Sequence, residues 1–242
     1  MVGDGASQLP QVALVTGGTG GLGQAVTRAF LDQGCVVVVT YRSEAEAERT
    51  RRNFQAAGDR LALEQADVTD GPAVHSLVQT VVGRFGRVDH LINLVGGWAG
   101  GKPVWETGDD ELARMLDLNL RSAFVCCRAV LPQMITQNFG RIVNISSRTA
   151  VRPSAGAAPY AIGKAGVIVL TETLALEVRD YDVNVNCVLP SVIDTPANRR
   201  DMPKADFRRW VTPEQLAGII VWLTSPAAAP INGTAIPVYG RA

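Results

Sequence analysis

A tyrosine and a lysine four residues apart are the two side chains whose spacing most directly suggests chemistry. Tyr160 and Lys164 follow Pro159 in a stretch with no helix breaker stronger than glycine, which predicts a helix. Residues i and i+4 share one helix face, with Cβ atoms about 5–6 Å apart. An ammonium favours phenolate over phenol, so we expect the pKa of Tyr160 to fall from about 10 towards the range useful for proton transfer at neutral pH. The alternative is a surface pair with a solvated lysine.

A cluster of glycines precedes the first predicted helix. Residues 16–23 read Thr-Gly-Gly-Thr-Gly-Gly-Leu-Gly and fit both Gly-x-Gly-x-x-Gly and Thr-Gly-x-x-x-Gly-x-Gly. Either pattern places a turn without side chains at a helix N-terminus, where backbone amides and the helix dipole bind a pyrophosphate. Because this segment stands between a predicted strand and a predicted helix, it predicts a dinucleotide-binding loop rather than a merely flexible turn.

The end of the second predicted strand bears on which dinucleotide binds. An NAD-binding unit usually offers a carboxylate there to the ribose hydroxyls, whereas this strand ends at Thr40 and no carboxylate appears before Glu44. The guanidinium of Arg42 can instead pair with a 2′-phosphate. We therefore expect NADP as the cofactor, with NADPH favoured over NADH; a solvated loop charge is the alternative. Asp67 and Val68, after the third strand, lie where an adenine edge comes within reach.

Apolar runs and helical spacings alternate along the chain. Strands are predicted over 12–16, 35–40, 61–66, 88–95, 141–146, 183–189 and 234–238, and helices over 22–34, 44–57, 72–84, 109–137, 158–179 and 213–224. This alternation predicts a parallel sheet with helices on both faces. No repeat or linker divides the chain, so we expect one domain over 1–242, with 1–10 as a flexible tail. The polar segment 190–213 is long for a connection and is interpreted as a substrate lid, or else as a solvated loop.

The composition argues against several classes of function. Lysine plus arginine and aspartate plus glutamate both number 23, so a net charge of zero gives no reason to expect nucleic acid or a membrane as partner. The four cysteines stand in apolar surroundings and the two histidines are far apart, so we expect buried thiols and no metal site. The N-terminus lacks the features of a signal peptide and no apolar run is long enough to span a bilayer, which predicts a cytoplasmic protein.

Together these motifs resemble the short-chain dehydrogenase/reductase family over residues 12–240. The glycine loop, Asp67-Val68, Asn119, Ser147 and Tyr160-x-x-x-Lys164 stand in the family's order and spacing. The resemblance implies a single-domain α/β fold, a Rossmann-like doubly wound parallel sheet of about seven strands with helices on both faces. It also implies a small carbonyl or alcohol substrate. It favours a homo-oligomer, a tetramer or dimer, with the helices over 109–137 and 158–179 in its interface.

The resemblance further implies a catalytic tetrad. Tyr160 would protonate the carbonyl oxygen and Ser147 would hold that oxygen by a hydrogen bond. Lys164 would bind the nicotinamide ribose and lower the pKa of the tyrosine, and Asn119 would hold a water that extends the proton path. The cofactor contacts implied by the same resemblance are Gly17, Thr19, Gly21, Leu22, Gly23, Arg42, Asp67, Val68, Asn93, Gly96, Tyr160, Lys164, Pro190, Ile193 and Thr195.

Three positions depart from the family pattern. Asn93-Leu-Val-Gly96 replaces Asn-Asn-Ala-Gly after the fourth strand, and Pro190-Ser191 replaces Pro-Gly after the sixth. The glycine loop lacks the basic residue that many NADP-specific members carry, so Arg42 supports the choice of NADP almost alone.

The segments 95–101 and 189–210 also resemble dihydropteridine reductase, a member of the same family. Trp98 and Trp210 could stack on a flat heterocycle or pack a lid. That enzyme type usually lacks the catalytic serine and carries an acidic residue after the second strand, unlike this chain. Our main expectation is therefore an NADP(H)-dependent oxidoreductase acting on a ketone, an aldehyde or a secondary alcohol. The alternatives are a dihydropteridine-type reductase and a non-catalytic dinucleotide sensor; a serine hydrolase is excluded because Gly-x-Ser-x-Gly is missing.

Overall fold

Seven parallel strands form one sheet in the computed structural model, which describes residues 9–241. Most of the predicted tail, residues 1–8, lies outside this range. The strand order is β3-β2-β1-β4-β5-β6-β7, so β2 and β3 lie on one side of β1 and β4 to β7 lie on the other. Ligands of such sheets bind at the carboxyl ends of the strands beside this switch point. The strands are β1 Val12–Thr16, β2 Val36–Tyr41, β3 Leu61–Gln65, β4 His90–Asn93, β5 Gly140–Ile145, β6 Val183–Pro190 and β7 Ala235–Val238.

Apolar side chains project from both faces of the sheet, as expected when helices cover both faces. Leu14 of β1 is aligned with Val38 of β2 and Leu91 of β4, and all three belong to the core on one face. The next residue, Val15, belongs to the core on the other face. Full burial of such a side chain stabilises the fold by about 1.5–3 kcal/mol. The fold class predicted from the sequence is confirmed.

Eight α-helices cover the two faces in the described part of the chain. Apolar residues of α1 and α8 pack on one face, and those of α3, α5 and α6 pack on the other. All four cysteines are free and buried, as predicted. The helices are α1 Gly21–Asp32, α2 Glu44–Asn53, α3 Gly71–Phe85, α4 Asp109–Leu116, α5 Ser122–Thr136, α6 Ala158–Glu177, α7 Pro196–Asp201 and α8 Pro213–Thr224.

The single long helix predicted over 109–137 is interrupted. A π-helical turn over Asp117–Arg121 separates α4 from α5, and Asn119 lies inside it. Such turns carry one extra residue per turn and are frequent at functional sites. Residues 117–121 contain no glycine or proline, so the interruption could not be predicted from helical spacing.

The predicted irregular segment 190–213 has structure of its own. It contains α7, and an isolated bridge pairs Ile193 with Val211 at its base. Trp210 is buried with its ring centroid 4.8 Å from that of Phe207 in the same segment, and the next residue, Val211, belongs to the core on the α1 face. The base of the segment is therefore fixed, and its closure as a lid stays a prediction.

Helix α6 is long and apolar enough, by composition, to cross a membrane. In this fold it packs against β6 and α4 and buries Lys164. We therefore interpret α6 as an internal helix of the sheet-and-helix layers.

Candidate active site

The predicted catalytic residues converge at the carboxyl edge of the sheet. Ser147 follows β5, and Gly96 lies in the loop after β4. Tyr160 and Lys164 lie on the first turns of α6, which begins with Pro159 in its first turn. Because these strands are neighbours in the sheet, residues far apart in sequence meet at one edge.

Lys164 is held by the strand beneath it. Its side chain is buried, and Nζ donates a hydrogen bond of 2.8 Å to the carbonyl oxygen of Ile145. Nζ lies 6.0 Å from the centroid of the Tyr160 ring, so the two side chains share one helix face as predicted. Burial lowers the pKa of Lys164 to about 8, because removal from water disfavours the ammonium.

Tyr160 departs from the expectation drawn from the sequence. Burial raises the pKa of Tyr160, and a side-chain hydrogen bond with Ser147 opposes that rise. The predicted fall in this pKa is wrong for the structure. Proximity to Lys164 does not reverse the effect of burial, since the ammonium is directed to the carbonyl oxygen of Ile145. Tyr160 is therefore a neutral phenol at pH 7, ready to give a proton rather than to take one.

Ser147 has a local structural role as well as a contact with Tyr160. Its Oγ accepts a hydrogen bond of 3.1 Å from the backbone N–H of Thr149 and so caps the short 3₁₀ turn Arg148–Ala150. This contact fixes the side chain of Ser147 at the end of β5, where it opposes the rise in the pKa of Tyr160. Capping of this turn and the proposed contact of Ser147 with a carbonyl oxygen are therefore compatible.

Asn119 joins the π-turn to the loop after β4. Its Oδ1 accepts from the N–H of Gly97 at 3.1 Å, and its Nδ2 donates to the carbonyl oxygens of Gly97 at 2.9 Å and Met115 at 3.1 Å. A Cβ on Gly96 would lie 2.9 Å from Asn119 Oδ1 and 3.0 Å from Lys164 Nζ. The glycine at 96 thus lets the backbone pass between Asn119 and Lys164.

Two glycines of the loop lie too close to neighbouring atoms to carry a side chain. A Cβ on Gly18 would lie 2.7 Å from Val39 Cγ1, and one on Gly23 would lie 2.5 Å from backbone atoms of Gly18. The N–H of Gly17 donates to Thr40 Oγ1 at 3.2 Å, and Gly17 adopts a φ of +68°. Side chains are excluded at these positions, so the loop fits the close approach of a dinucleotide pyrophosphate.

A cleft of about 290 Å³ lies beside this loop. Among the predicted cofactor contacts, it is lined by Gly17, Thr19, Arg42, Asp67, Val68 and Gly96. Asp67 Oδ1 accepts from the N–H and the hydroxyl of Thr69 at 2.9 and 2.7 Å, and these bonds hold the pKa of Asp67 below its ordinary value. Arg42 is exposed, and its charge acts on Asp67 in the same direction.

Other predicted cofactor contacts lie around the cleft or away from it. Asn93 is buried in the sheet, where its Nδ2 donates to Asn144 Oδ1 at 2.8 Å, so its side chain is directed into the core. Thr195 faces the glycine loop, since a Cβ on Gly21 would lie 3.0 Å from Thr195 Cγ2. Leu22 packs against the core on the α1 face, Pro190 ends β6, and Ile193 pairs with Val211.

Helix α2 contributes one residue to the wall of this cleft and another to its glycine loop, and neither was predicted from the sequence. Glu46 lines the cleft, and its Oε2 accepts from the N–H groups of Arg42 and Ser43, both at 3.4 Å. The signal for Glu46 was present, because Ser43-x-x-Glu46 is a capping box. Arg49 donates from Nη2 to the carbonyl oxygen of Thr19 at 3.4 Å. Only the packing of α2 against α1 reveals this second contact.

A second cavity, of about 620 Å³, opens beside Tyr160. Ser147 and Tyr160 lie on its wall, together with Trp98, Val192 and Met202. Trp98 is 64% exposed, whereas Trp210 is buried beside Phe207. Of the two tryptophans singled out in the sequence, Trp98 is therefore the one that a ligand in this cavity can touch.

Comparisons with known proteins agree with this arrangement. The chain matches the short chain dehydrogenase family over residues 11–206. It is 37% identical over 245 residues to a 3-oxoacyl-(acyl-carrier-protein) reductase of Synechocystis sp., covering 95% of this chain and 96% of that protein.

Two solved structures share the fold. A variant of actinorhodin polyketide ketoreductase with NADPH has a TM-score of 0.88 and 31% identity, covering 96% of each chain. An NAD⁺-bound xylitol dehydrogenase has a TM-score of 0.88 and 27% identity, covering 97% of this chain and all of that one. With the glycine loop, the sheet order and the Tyr160–Lys164 pair in place, these matches show that the chain belongs to the short-chain dehydrogenase/reductase family and is an NAD(P)-dependent oxidoreductase.

Proposed function

We propose that the protein is an NADP(H)-dependent oxidoreductase that reduces a ketone or an aldehyde, and in reverse oxidises a secondary or primary alcohol. One observation carries this proposal. Ser147 and Tyr160 both line the 620 Å³ cavity, while Lys164 Nζ would lie 3.0 Å from a Cβ on Gly96, which lines the cofactor cleft. Two hydroxyl groups thus face a space large enough for a small organic molecule.

The proposed chemistry divides between cofactor and protein. A bound nicotinamide supplies or accepts the hydride. Tyr160 donates its phenolic proton to the carbonyl oxygen, and its raised pKa keeps that proton in place at neutral pH. Ser147 donates a second hydrogen bond to the same oxygen, which stabilises the negative charge that develops there. Lys164 places a buried positive charge beside the phenol and holds the nicotinamide ribose.

Asn119 completes the proposed tetrad from the π-turn. Its side chain fixes the loop at Gly97, next to Gly96 and Lys164. We assign to it the holding of a water through which the proton of Tyr160 is replaced. The amide of Asn119 also sets the position of the Gly96 backbone, so its loss would affect the cofactor cleft as well as the proton path.

The substrate class is supported by the cavity and by the relatives. Trp98, Val192 and Met202 give the cavity an apolar wall, and the hydroxyls of Ser147 and Tyr160 provide the polar groups that a carbonyl requires. The Synechocystis relative is named for a 3-oxoacyl substrate, and the solved actinorhodin protein is a polyketide ketoreductase. Both names describe ketones, which favours a ketone for this chain.

A dihydropteridine-type reductase is the second candidate, because the exposed ring of Trp98 lies on the wall of the same cavity. The experiment is a screen of NADPH oxidation with ketones, 3-oxoacyl thioesters and quinonoid pterins. We expect turnover with a ketone and a strong loss of kcat in Ser147→Ala. Turnover with a pterin and an unchanged kcat in Ser147→Ala would favour the second candidate. Binding of NADPH without turnover on any substrate would identify a dinucleotide sensor instead.

NADPH is the proposed cofactor, since no carboxylate ends β2 and the exposed Arg42 lines the cleft. A hydrogen bond to a charged partner contributes about 1.5–3 kcal/mol, or about 10- to 150-fold in affinity. We expect NADPH to bind more tightly than NADH by a factor near the lower limit, because Arg42 is exposed. Arg42→Ala should weaken NADPH alone, as measured by fluorescence titration of both cofactors. An equal loss of affinity for NADPH and NADH in Arg42→Ala would show that Arg42 does not contact the 2′-phosphate.

The exposed surface of the helices bears on the assembly of the protein. Exposed apolar side chains lie along α5 and α6, namely Phe124, Ile162, Val169 and Leu176. Covering these side chains in an interface would favour a homo-oligomer, a tetramer or dimer, of one-domain subunits. The proposed location of this oligomer is the cytoplasm. Light scattering on the purified protein measures the subunit number directly, and a monomer at micromolar concentration would contradict the proposal.

A further inference from the structure

Arg49 contacts the glycine loop of the cofactor cleft although it lies on α2. Its Nη2 donates to the carbonyl oxygen of Thr19, and Thr19 lines the cleft together with Arg42. The position of Arg49 is set by the helix that carries it. Ala47 and Thr50 of α2 are buried, and Thr50 Oγ1 accepts from Gln24 Nε2 of α1 at 3.1 Å. The packing of α2 on α1 thus directs Arg49 towards the loop.

Gly20 is the position in the loop that a side chain could occupy. It has a φ of −78°, which any residue adopts, and it is exposed. A Cβ there would come no nearer than 3.5 Å to the carbonyl oxygen of Gly17, which is an ordinary contact. Gly18 and Gly23 differ, because a Cβ at either position would meet other atoms too closely. Neither backbone conformation nor crowding therefore explains the absence of a side chain at 20.

The charged residues that line the cleft are Arg42, Glu46 and Asp67, and Arg49 is bonded to the carbonyl oxygen of Thr19, which also lines it. The two carboxylates are engaged locally: Glu46 accepts from the N–H groups that begin α2, and Asp67 accepts from Thr69. Arg42 directly follows β2, and Arg49 is hydrogen-bonded to Thr19 of the glycine loop. A dianionic group bound between the glycine loop and the end of β2 would meet a guanidinium from each.

We propose that Arg49 is a second ligand of the 2′-phosphate of NADPH, a guanidinium that α2 supplies to a glycine loop without a cation of its own. This inference rests on the proposed use of NADP. It makes Arg49 a specificity-determining residue that acts together with Arg42. The hydrogen bond to Thr19 keeps the side chain extended over the loop, so less side-chain freedom is lost when the phosphate binds.

The test is a set of binding titrations that needs no substrate. NADPH and NADH are titrated against wild type, Arg49→Ala and Arg49→Lys. We expect Arg49→Ala to weaken NADPH by about 10-fold and to leave NADH nearly unchanged, because one hydrogen bond to a charged group is lost. Arg49→Lys should retain part of the affinity, since it keeps the charge but not the planar fork. Arg52→Ala removes the same charge from an exposed position on the same helix and should change neither affinity.

A rescue variant separates a ligand role from a structural one. Gly20→Arg in the Arg49→Ala background places a guanidinium in the loop itself, and we expect it to restore the preference for NADPH. Equal weakening of NADPH and NADH in Arg49→Ala would assign Arg49 to loop structure and overturn the proposal. An unchanged NADPH affinity would overturn it as well. If wild type binds neither cofactor, the proposed function fails, and that result is distinct from a failure at Arg49.

Discussion

The two ends of the sheet both bury polar groups, yet they arrange them differently. At the amino ends of the strands, Asp89 is fully buried and accepts from Arg87 Nε at 2.7 Å, from Arg87 Nη2 at 2.6 Å and from the N–H of Val12 at 2.8 Å. Nearby, the buried Arg141 donates to the side chain and the backbone of Asp182 at 2.7 and 2.8 Å. These charged groups bond mainly to one another and to backbone.

At the carboxyl ends, the polar groups retain capacity for a ligand. Lys164 has three donors and gives one of them to Ile145, while the hydroxyls of Ser147 and Tyr160 line an open cavity. Spare bonding capacity alone does not distinguish the two ends, because Arg141 Nε and His90 Nδ1 at the amino end are also buried without a hydrogen-bond partner. The carboxyl end differs because its hydroxyl groups line a cavity that a ligand can enter. The comparison predicts that changes at the carboxyl end affect turnover and that changes at the amino end affect stability.

The largest expected effect is on turnover at the carboxyl end. Tyr160→Phe removes the proposed general acid and should lower kcat by about 10²–10⁴-fold. The free energy of unfolding and NADPH affinity should stay close to wild type, because one hydroxyl at a cavity wall is lost. Single-turnover and steady-state assays measure the effect. Tyr181→Phe, which removes an exposed hydroxyl near the amino end of β6, is the matched control. Tyr160→Phe with more than half of wild-type turnover would contradict the assignment.

The next effect is on stability at the amino end. Asp89→Asn leaves Arg87 and the N–H of Val12 with a weaker partner and should lower the free energy of unfolding by about 2–3 kcal/mol. The value of kcat per folded molecule should not change. Urea denaturation measures the loss, and Asp180→Asn in the exposed pair with Arg179 serves as control. A drop in kcat as large as that of Tyr160→Phe would break the proposed division between the two ends.

The smallest effect is a dependence of stability on pH. His90 is buried between the rings of Phe30 and Phe139, and burial lowers its pKa to about 4. The unfolded chain binds a proton near pH 6.5 and the folded chain only near 4. The contribution of His90 to the free energy of unfolding is therefore greatest above pH 6.5 and falls as the pH drops towards 4. Below pH 4 this contribution no longer changes with pH.

The expected loss from His90 is about 2 kcal/mol between pH 7 and pH 5. Urea denaturation at several pH values measures it, and His90→Leu should flatten the slope because leucine does not titrate. His75→Gln, at an exposed histidine, should leave the slope as in wild type. An unchanged slope in His90→Leu would show that other groups cause it.

The sheet and the positions of most helices could be predicted from the sequence because each depends on local pattern. A run of β-branched residues predicts a strand and a glycine predicts the end of a helix, and both signals are visible over a few residues. The interruption at Asn119 was not predictable in this way, since residues 117–121 contain no breaker and the contact of Asn119 with Gly97 joins residues distant in sequence. Likewise, the burial of Trp210 and the reach of Arg49 follow from how elements pack together.

The pKa of Tyr160 illustrates the same limit at the candidate site. Spacing on a helix correctly brought the phenol and the ammonium to one face. Spacing does not report how deeply each group is buried or where the ammonium donates, and those two facts decide the direction of the shift. The position of a side chain was therefore easier to predict than its protonation.

The π-turn has a consequence for how the two halves of the helical layer are oriented. One extra residue in a turn rotates everything beyond it by about 100° relative to a continuous α-helix. The face of α4 that buries Met115 and the face of α5 that buries Cys126 are therefore set in different rotational phases. A continuous helix could satisfy one of these faces but would turn the other away from its partner. The inserted residue thus sets the rotation of α5 about the helix axis relative to α4, and Asn119 lies in the turn where this rotation occurs.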